Sequence, residues 1–187
     1  MKNNSLKGLI IALAFCLFSV SVYLLFLKKE DVFLLDNPTD SSIKVVLNNK
    51  KYLLGPGQTA EVSIQLGNNA ISAKREDSVV LLKDTFFSIE NNTRGLINPT
   101  LSNYYTFKRY YGYVKNRDSL YNSHQIDIEG KEYKGEIKKY NDLVLQGFSI
   151  NINQDYPKLK KKSDSLTGIT KLFRKNQFVE YYETISE

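Results

Sequence analysis

Chemistry begins with side chains that hold a metal, move a proton or attack a carbonyl, and this chain gathers few of them in one place. His124 is the single histidine and Cys16 the single cysteine of 187 residues. A multi-histidine or thiolate metal site is therefore excluded, and a metal would have to be held by carboxylates alone. Asp127, Glu129, Glu132 and Glu136 form the densest carboxylate group. Their spacing is not that of a calcium loop, which sets oxygen ligands at alternate positions around a central glycine and closes on a glutamate. Strand alternation instead sends Asp127 and Glu129 to one solvent face. A Ser-His-Asp arrangement built on His124 would have to assemble in space. The sequence has no Gly-x-Ser-x-Gly, phosphate loop or dinucleotide fingerprint. It predicts no catalytic residue, no metal site and no cofactor.

The most unusual local composition is residues 104–113, YYTFKRYYGY. As a strand this stretch sets Tyr105, Phe107, Arg109, Tyr111 and Tyr113 on one face, suited to a core, and Tyr104, Thr106, Lys108 and Tyr110 on the other. Aromatic strand pairs are ordinary sheet stabilisers. Read as a binding face, Tyr104 and Tyr110 stack on a sugar or a protein partner while Lys108 supplies charge. Tyr104, Lys108 and Tyr110 are the candidate partner-binding residues.

Charge removes another class. The 26 basic and 20 acidic residues give a net +6, but Lys2, Lys7, Lys28 and Lys29 flank one apolar run; without these four the balance is 22 to 20. A nucleic-acid surface needs a concentrated basic face, which this near-neutral remainder lacks. The five residues 158–162, KLKKK, read as a solvated linker.

The apolar run is residues 9–27, LIIALAFCLFSVSVYLLFL, without charge or proline. Its nineteen residues approach the ~30 Å hydrocarbon thickness of a bilayer at about 1.5 Å per residue, and the sequence predicts a transmembrane anchor, with residues 1–8 as a short inside tail. Two readings compete with it. A cleaved secretory signal would share the basic start and use Ser19-Val20-Ser21, and a lipoprotein signal would use Cys16 but meets Phe15 where a small residue belongs. The flanking lysines nearly balance, so the positive-inside rule hardly decides orientation. The commoner arrangement of an N-terminal signal-anchor makes this a single-pass protein of the inner (cytoplasmic) membrane, with its C-terminal domain outside the cytoplasm.

From residue 32 to 187 the sequence predicts one extracytoplasmic all-β domain, an antiparallel sandwich or barrel-like fold of eight to ten strands, with residues 158–187 as an appendage. Ile43, Val45 and Leu47 alternate with Lys44 and Val46, and Ala60, Val62, Ile64 and Leu66 with Glu61, Ser63 and Gln65, between Asn-, Gly- and Pro-rich turns. Residues 143–152 read as the last strong β region. Ser163 or Asp164 caps a short helix through Lys175, followed by a final strand. The triplets Asn37-Pro38-Thr39 and Asn98-Pro99-Thr100 read as shared turn chemistry, not as a repeat, because the residues after them do not correspond.

The string of residues 43–73, IKVVLNNKKYLLGPGQTAEVSIQLGNNAISA, resembles the small extracytoplasmic β modules of the PEGA and bacterial immunoglobulin-like type, although it lacks the Gly-x-Thr-Pro turn. The resemblance implies a non-catalytic surface or scaffold unit and no site residues. The composition, rich in Asn, Lys, Ile and Tyr, goes with AT-rich bacterial genomes. Together these observations predict a membrane-anchored, non-catalytic binding or scaffold module of a bacterial cell envelope whose partner is an envelope protein. The alternatives are a tethered immunity protein against a delivered toxin and a membrane-tethered cell-wall polymer hydrolase with paired carboxylates.

Overall fold

The apolar N-terminal run folds as helix α1 (Lys2–Val22), with no helix breaker after Gly8. The Ser19 and Ser21 hydroxyls donate to the carbonyls of Phe15 and Leu17, four residues back, at 2.9 and 2.8 Å, so these serines stay within the helix ladder. The computed structural model describes residues 2–22, 33–91, 93–112, 119, 122, 124–158 and 167–186, in two units, Met1–Asp31 and Val32–Glu187. The expected anchor over 9–27 is corrected to this extent: residues 23–27 lie outside the described residues, and among those described no helix is long and apolar enough to cross a membrane. The apolar part that is described, residues 9–22, rises only about 21 Å.

The second unit is built from strands β1 (Phe33–Asp36), β2 (Ile43–Leu47), β3 (Lys50–Leu54), β4 (Thr59–Val62), β5 (Gly67–Arg75), β6 (Val80–Ile89), β7 (Gly95–Ile97), β8 (Tyr104–Tyr111), β9 (Gln125–Ile128), β10 (Lys131–Lys134), β11 (Ile137–Tyr140), β12 (Val144–Leu145) and β13 (Thr167–Arg174), closed by helix α2 (Lys175–Ser186). The strands form a central sheet β12-β7-β1-β4, an outer sheet β3-β2-β5-β6, a third sheet β11-β8-β13 and a hairpin β9-β10. The mostly-β reading holds for this unit; among the named strands described, the pair β1 and β7 departs from antiparallel pairing by running parallel.

Three buried clusters stack these layers. Phe33 and Leu35 of the central sheet meet Ile43, Val45, Leu47, Ile71 and Ile89 of the outer sheet. On the opposite face, Leu34 and Leu96 meet Tyr104 and Leu172 of the third sheet, with Leu145, Phe148 and Ile152 filling in. Beyond the third sheet, Tyr105, Phe107 and Phe173 pack on Phe178 of α2 and on Ile128 and Tyr133 of the hairpin. The central sheet is therefore covered on both faces. This accounts for β1, whose sequence FLLD carries no alternation to read, since a strand buried on both sides needs none.

The two Asn-Pro-Thr triplets end the parallel strands β1 and β7, and the structure corrects the conclusion that no repeat is built on them. The shared unit is Asn-Pro-Thr-x-Ser. Asn37 Nδ2 donates to the Ser41 carbonyl at 2.8 Å and Thr39 Oγ1 donates to Asn37 Oδ1 at 2.7 Å. Asn98 Nδ2 donates to the Ser102 carbonyl at 2.9 Å and Thr100 Oγ1 to Asn98 Oδ1 at 3.1 Å. The correspondence continues into the sheets. β1 pairs with β4 as β7 pairs with β12; β2 lies between β3 and β5 as β8 lies between β11 and β13. Ile43 stands opposite Arg75 as Tyr104 stands opposite Arg174.

Each half is thus a small sandwich, with the β9-β10 hairpin inserted in the second. The order β12-β7-β1-β4, the parallel central pair and the opposite faces used by the two halves are those of a pseudo-twofold axis running along the strands. The sequence hides the repeat because hydrogen-bonding positions are kept while the strand residues change, Ile43 against Tyr104 for example.

Two further expectations are corrected. Residues 143–152 form a strand only over β12; Gly147 turns the chain at φ +86°, and Ile150 makes an isolated parallel bridge to Lys171 of β13, its amide donating to the Thr170 carbonyl and its carbonyl accepting from the Leu172 amide, while Phe148 and Ile152 are buried outside any strand. At the C-terminus the order is strand then helix, the reverse of the prediction, and the predicted caps Ser163 and Asp164 lie outside the described residues. Pairing with β8 over the whole of β13 outweighs the weak local helix propensity there. Phe178, Val179, Tyr181 and Tyr182 then follow a helical period onto the third sheet. The Arg174 amide donates to Gln177 Oε1 at 3.3 Å, the reach-back half of a capping box.

Candidate functional site

The three candidate partner-binding residues lie on one face of β8, and the structure separates them. Tyr104 is fully buried against the central sheet, which corrects its place on a solvent face. Its hydroxyl donates to Asp36 Oδ2 at 2.5 Å. Arg174 donates to the same carboxylate through Nε at 2.9 Å and Nη2 at 2.5 Å, and Nη2 also reaches the Gly57 carbonyl at 2.9 Å. Burial, and then the adjacent Asp36 charge, pushes the Tyr104 hydroxyl far above the ordinary phenol range. The hydrogen bond to Asp36 pushes the Arg174 guanidinium up. Tyr104, Asp36 and Arg174 tie the central sheet to the third; they are structural.

Lys108 and Tyr110 remain at the half-buried end of the strand, joined through Glu136 just before β11. Lys108 Nζ donates to Glu136 Oε1 at 3.1 Å, and the Tyr110 hydroxyl donates to Glu136 Oε2. The ammonium lies 5.2 Å from the Tyr110 ring centre. The Lys108 stem lies over Gly168, where a Cβ would come within 2.4 Å of Cε.

The Glu136 hydrogen bond raises both Lys108 and Tyr110 above their ordinary values. Burial pushes Glu136 up, but the hydrogen bonds from Tyr110 and Lys108 more than reverse this and hold it below the usual carboxylate range. Stability from this depressed carboxyl is present above the unfolded glutamate value and is lost as pH falls through the folded one. With about a third of each ion-pair side chain exposed, its size is below about 1 kcal/mol. Urea unfolding of Glu136→Gln beside the parent should show a small deficit at neutral pH that closes as pH falls below the ordinary glutamate range.

The remaining carboxylates serve turns and surface pairs. Asp127 accepts from the Gly130 amide at 3.1 Å, Glu129 accepts from Lys175, and Glu132 is exposed. Among the described residues no three His, Cys, Asp or Glu side chains form a group that could hold a metal.

The outer face of the outer sheet was not singled out from the sequence. Lys44 and Val46 of β2, Lys51 and Leu53 of β3, Ser72 and Lys74 of β5, and Phe86 of β6 project from it, as the registers require. Phe86 is 76% exposed and Leu53 66%. Asp84 accepts from the hydroxyl of Ser72 on this face at 3.0 Å. β3 and β6 are the edges of this sheet among the described residues. The middle of β6 is bulged, with register shifts opposite Ile71–Lys74 and Asp84 at φ +42°, which blunts that part of the edge against indiscriminate pairing. The sequence signal was available in the alternation of lysine with Val46 and Leu53.

Compared with protein-family models, curated proteins and solved structures, the chain matches none, so no resemblance of residues 43–73 to PEGA or immunoglobulin-like modules is shown.

Proposed function

We propose that this chain is a non-catalytic binding module of a bacterial envelope, held at a membrane through residues 9–27 and recognising an acidic protein partner on the outer sheet. The observation that carries the reading is the outer sheet face, where exposed Phe86, Leu53 and Val46 stand among Lys44, Lys51 and Lys74. Large apolar side chains ringed by like charge favour a partner surface with apolar contacts at its centre and carboxylates at its rim. Lys108 and Tyr110 are engaged with Glu136, so the outer sheet is favoured over the tyrosine stretch. The tether is supported by α1, in which Leu9, Ile10, Ile11, Leu13, Phe15, Leu17, Phe18 and Val20 are 54–72% exposed around the helix. A helix apolar on every side is suited to an apolar medium. The C-terminal unit then stands outside the cytoplasm.

The test is photocrosslinking in whole cells from a benzophenone side chain at position 53 or 86, followed by fractionation. The expected product is one protein adduct in the membrane fraction, lost in the triple variant Lys44→Glu, Lys51→Glu, Lys74→Glu. An adduct indifferent to charge reversal, or no adduct, overturns the docking face. Recovery of the chain in the soluble fraction overturns the tether.

A further inference from the structure

A second surface, on the far side of β8 from Lys108, has the makings of a ligand site. A cavity of about 510 Å³ opens between the third sheet and α2, lined by Arg109, Tyr111, Tyr156, Lys171, Tyr181 and neighbours. That volume lies within the range of small-molecule sites. The Arg109 guanidinium sits 5.4 Å from the Tyr111 ring centre and 5.9 Å from that of Tyr156. Among the described residues it makes no hydrogen bond or ion pair, so its donor fork is not consumed by the fold. Lys171 is 8% exposed, with its ammonium 4.6 Å from the Phe173 ring centre and 5.9 Å from Tyr156. Its carboxylate partner, Asp155, is 3.6 Å away and extends fully into solvent. Lys158 adds a further positive charge at the rim.

Two cations thus share one aromatic wall and one solvent-borne counter-charge. The register makes them diagonal neighbours, since Arg109 is opposite Ile169 and Phe107 is opposite Lys171, and such positions lie about 7–8 Å apart. An oxyanion placed between them receives charge-assisted hydrogen bonds from both. Tyr156 is fixed in place: its hydroxyl donates to the Phe107 carbonyl, and burial raises it well above the phenol range. A rigid, neutral ring there offers a flat face beside the charges. Among the described residues Arg109 has no carboxylate of the kind that seats Arg174 on Asp36, and Lys171 has only the solvent-exposed Asp155. We infer that this cavity binds a small organic anion, its oxyanion between Arg109 and Lys171 and its ring on Tyr156 and Tyr111.

The test is calorimetric titration of the full chain in neutral detergent with phenyl phosphate and with D-glucuronate, which separate an aromatic from a sugar ring, beside phenol and inorganic phosphate as fragments. At least one of the two ring-bearing anions should bind about tenfold more tightly than either fragment, and Arg109→Gln and Lys171→Met should each weaken it about tenfold or more. Arg109 is half-buried and makes no side-chain hydrogen bond among the described residues, so Arg109→Gln reports on the site even where Lys171→Met fails to fold. Equal binding by parent and Arg109→Gln, inorganic phosphate binding as tightly as the ring-bearing anions, or no binding of either at millimolar concentration overturns the inference.

Discussion

Arg174→Leu should lower the unfolding free energy by about 3–5 kcal/mol, the largest loss expected of a single substitution in this chain. The cause is not the contact removed but the charge left behind. Asp36 is fully buried between the central and third sheets, and Arg174 supplies two of the hydrogen bonds to its carboxylate. Without the guanidinium, a carboxylate in a low-dielectric setting keeps, among the described residues, the Tyr104 hydroxyl alone, and desolvation is no longer offset. A domain whose whole stability is of order 5–15 kcal/mol feels such a loss as a large shift of its urea midpoint.

The other half of the molecule supplies the control. By the repeat, the places of Asp36 and Tyr104 are taken there by Ile97 and Ile43, both fully buried in the first cluster. The fold therefore accepts an apolar solution at this joint. The double variant Asp36→Ile, Arg174→Met should recover most of what Arg174→Leu loses, as apolar replacement of a whole buried pair often does. If Arg174→Leu unfolds within about 1 kcal/mol of the parent, Asp36 is not held as described.

Gly95→Ala should cost about 1–3 kcal/mol through overpacking. Gly95 stands opposite Phe33 in the parallel pair, and a Cβ on it would lie 2.2 Å from Phe33 Cε1 and 2.7 Å from Cδ1 and Cζ. The ring is 2% exposed and packed among Leu35, Val62 and Ile97, so it has nowhere to retreat. Adding Phe33→Leu to Gly95→Ala should restore part of the stability, although Phe33→Leu alone destabilises by leaving a gap. Thermal unfolding of the two single variants and the double closes the cycle, and strictly additive losses would show that the methyl and the ring do not meet.

The outer sheet was legible because one of its faces meets water. Ile43, Val45 and Leu47 alternate as written, and Asn48-Asn49, both with positive φ, give the tight turn their chemistry suggests. β1 and the first half of β8 were opaque for the opposite reason. Tyr104 through Phe107 are buried in succession, because the third sheet is sandwiched in its turn, and period-two patterning carries no information when both faces are covered. The same layering put Tyr104 in the core and left Arg109, on the face assigned to the core, beside an open cavity. The segment Thr167–Arg174 misled because a long-range partner decided it: no residue within it announces pairing with β8, some sixty positions earlier.

The parallel pair β1-β7 has a consequence for how the chain reaches this structure. Phe33 and Gly95 meet across the whole first half of the domain, and β13 finds β8 at a similar remove. Contacts this distant along the chain require loop closure before they return any stabilisation, which slows folding. The two hairpins of the outer sheet, β2-β3 and β5-β6, pair strands adjacent in sequence and are free to form early. The central sheet cannot close until the second Asn-Pro-Thr turn has been made, so its assembly sets the folding rate, and substitutions at Phe33 or Gly95 show themselves as slower folding more than as faster unfolding.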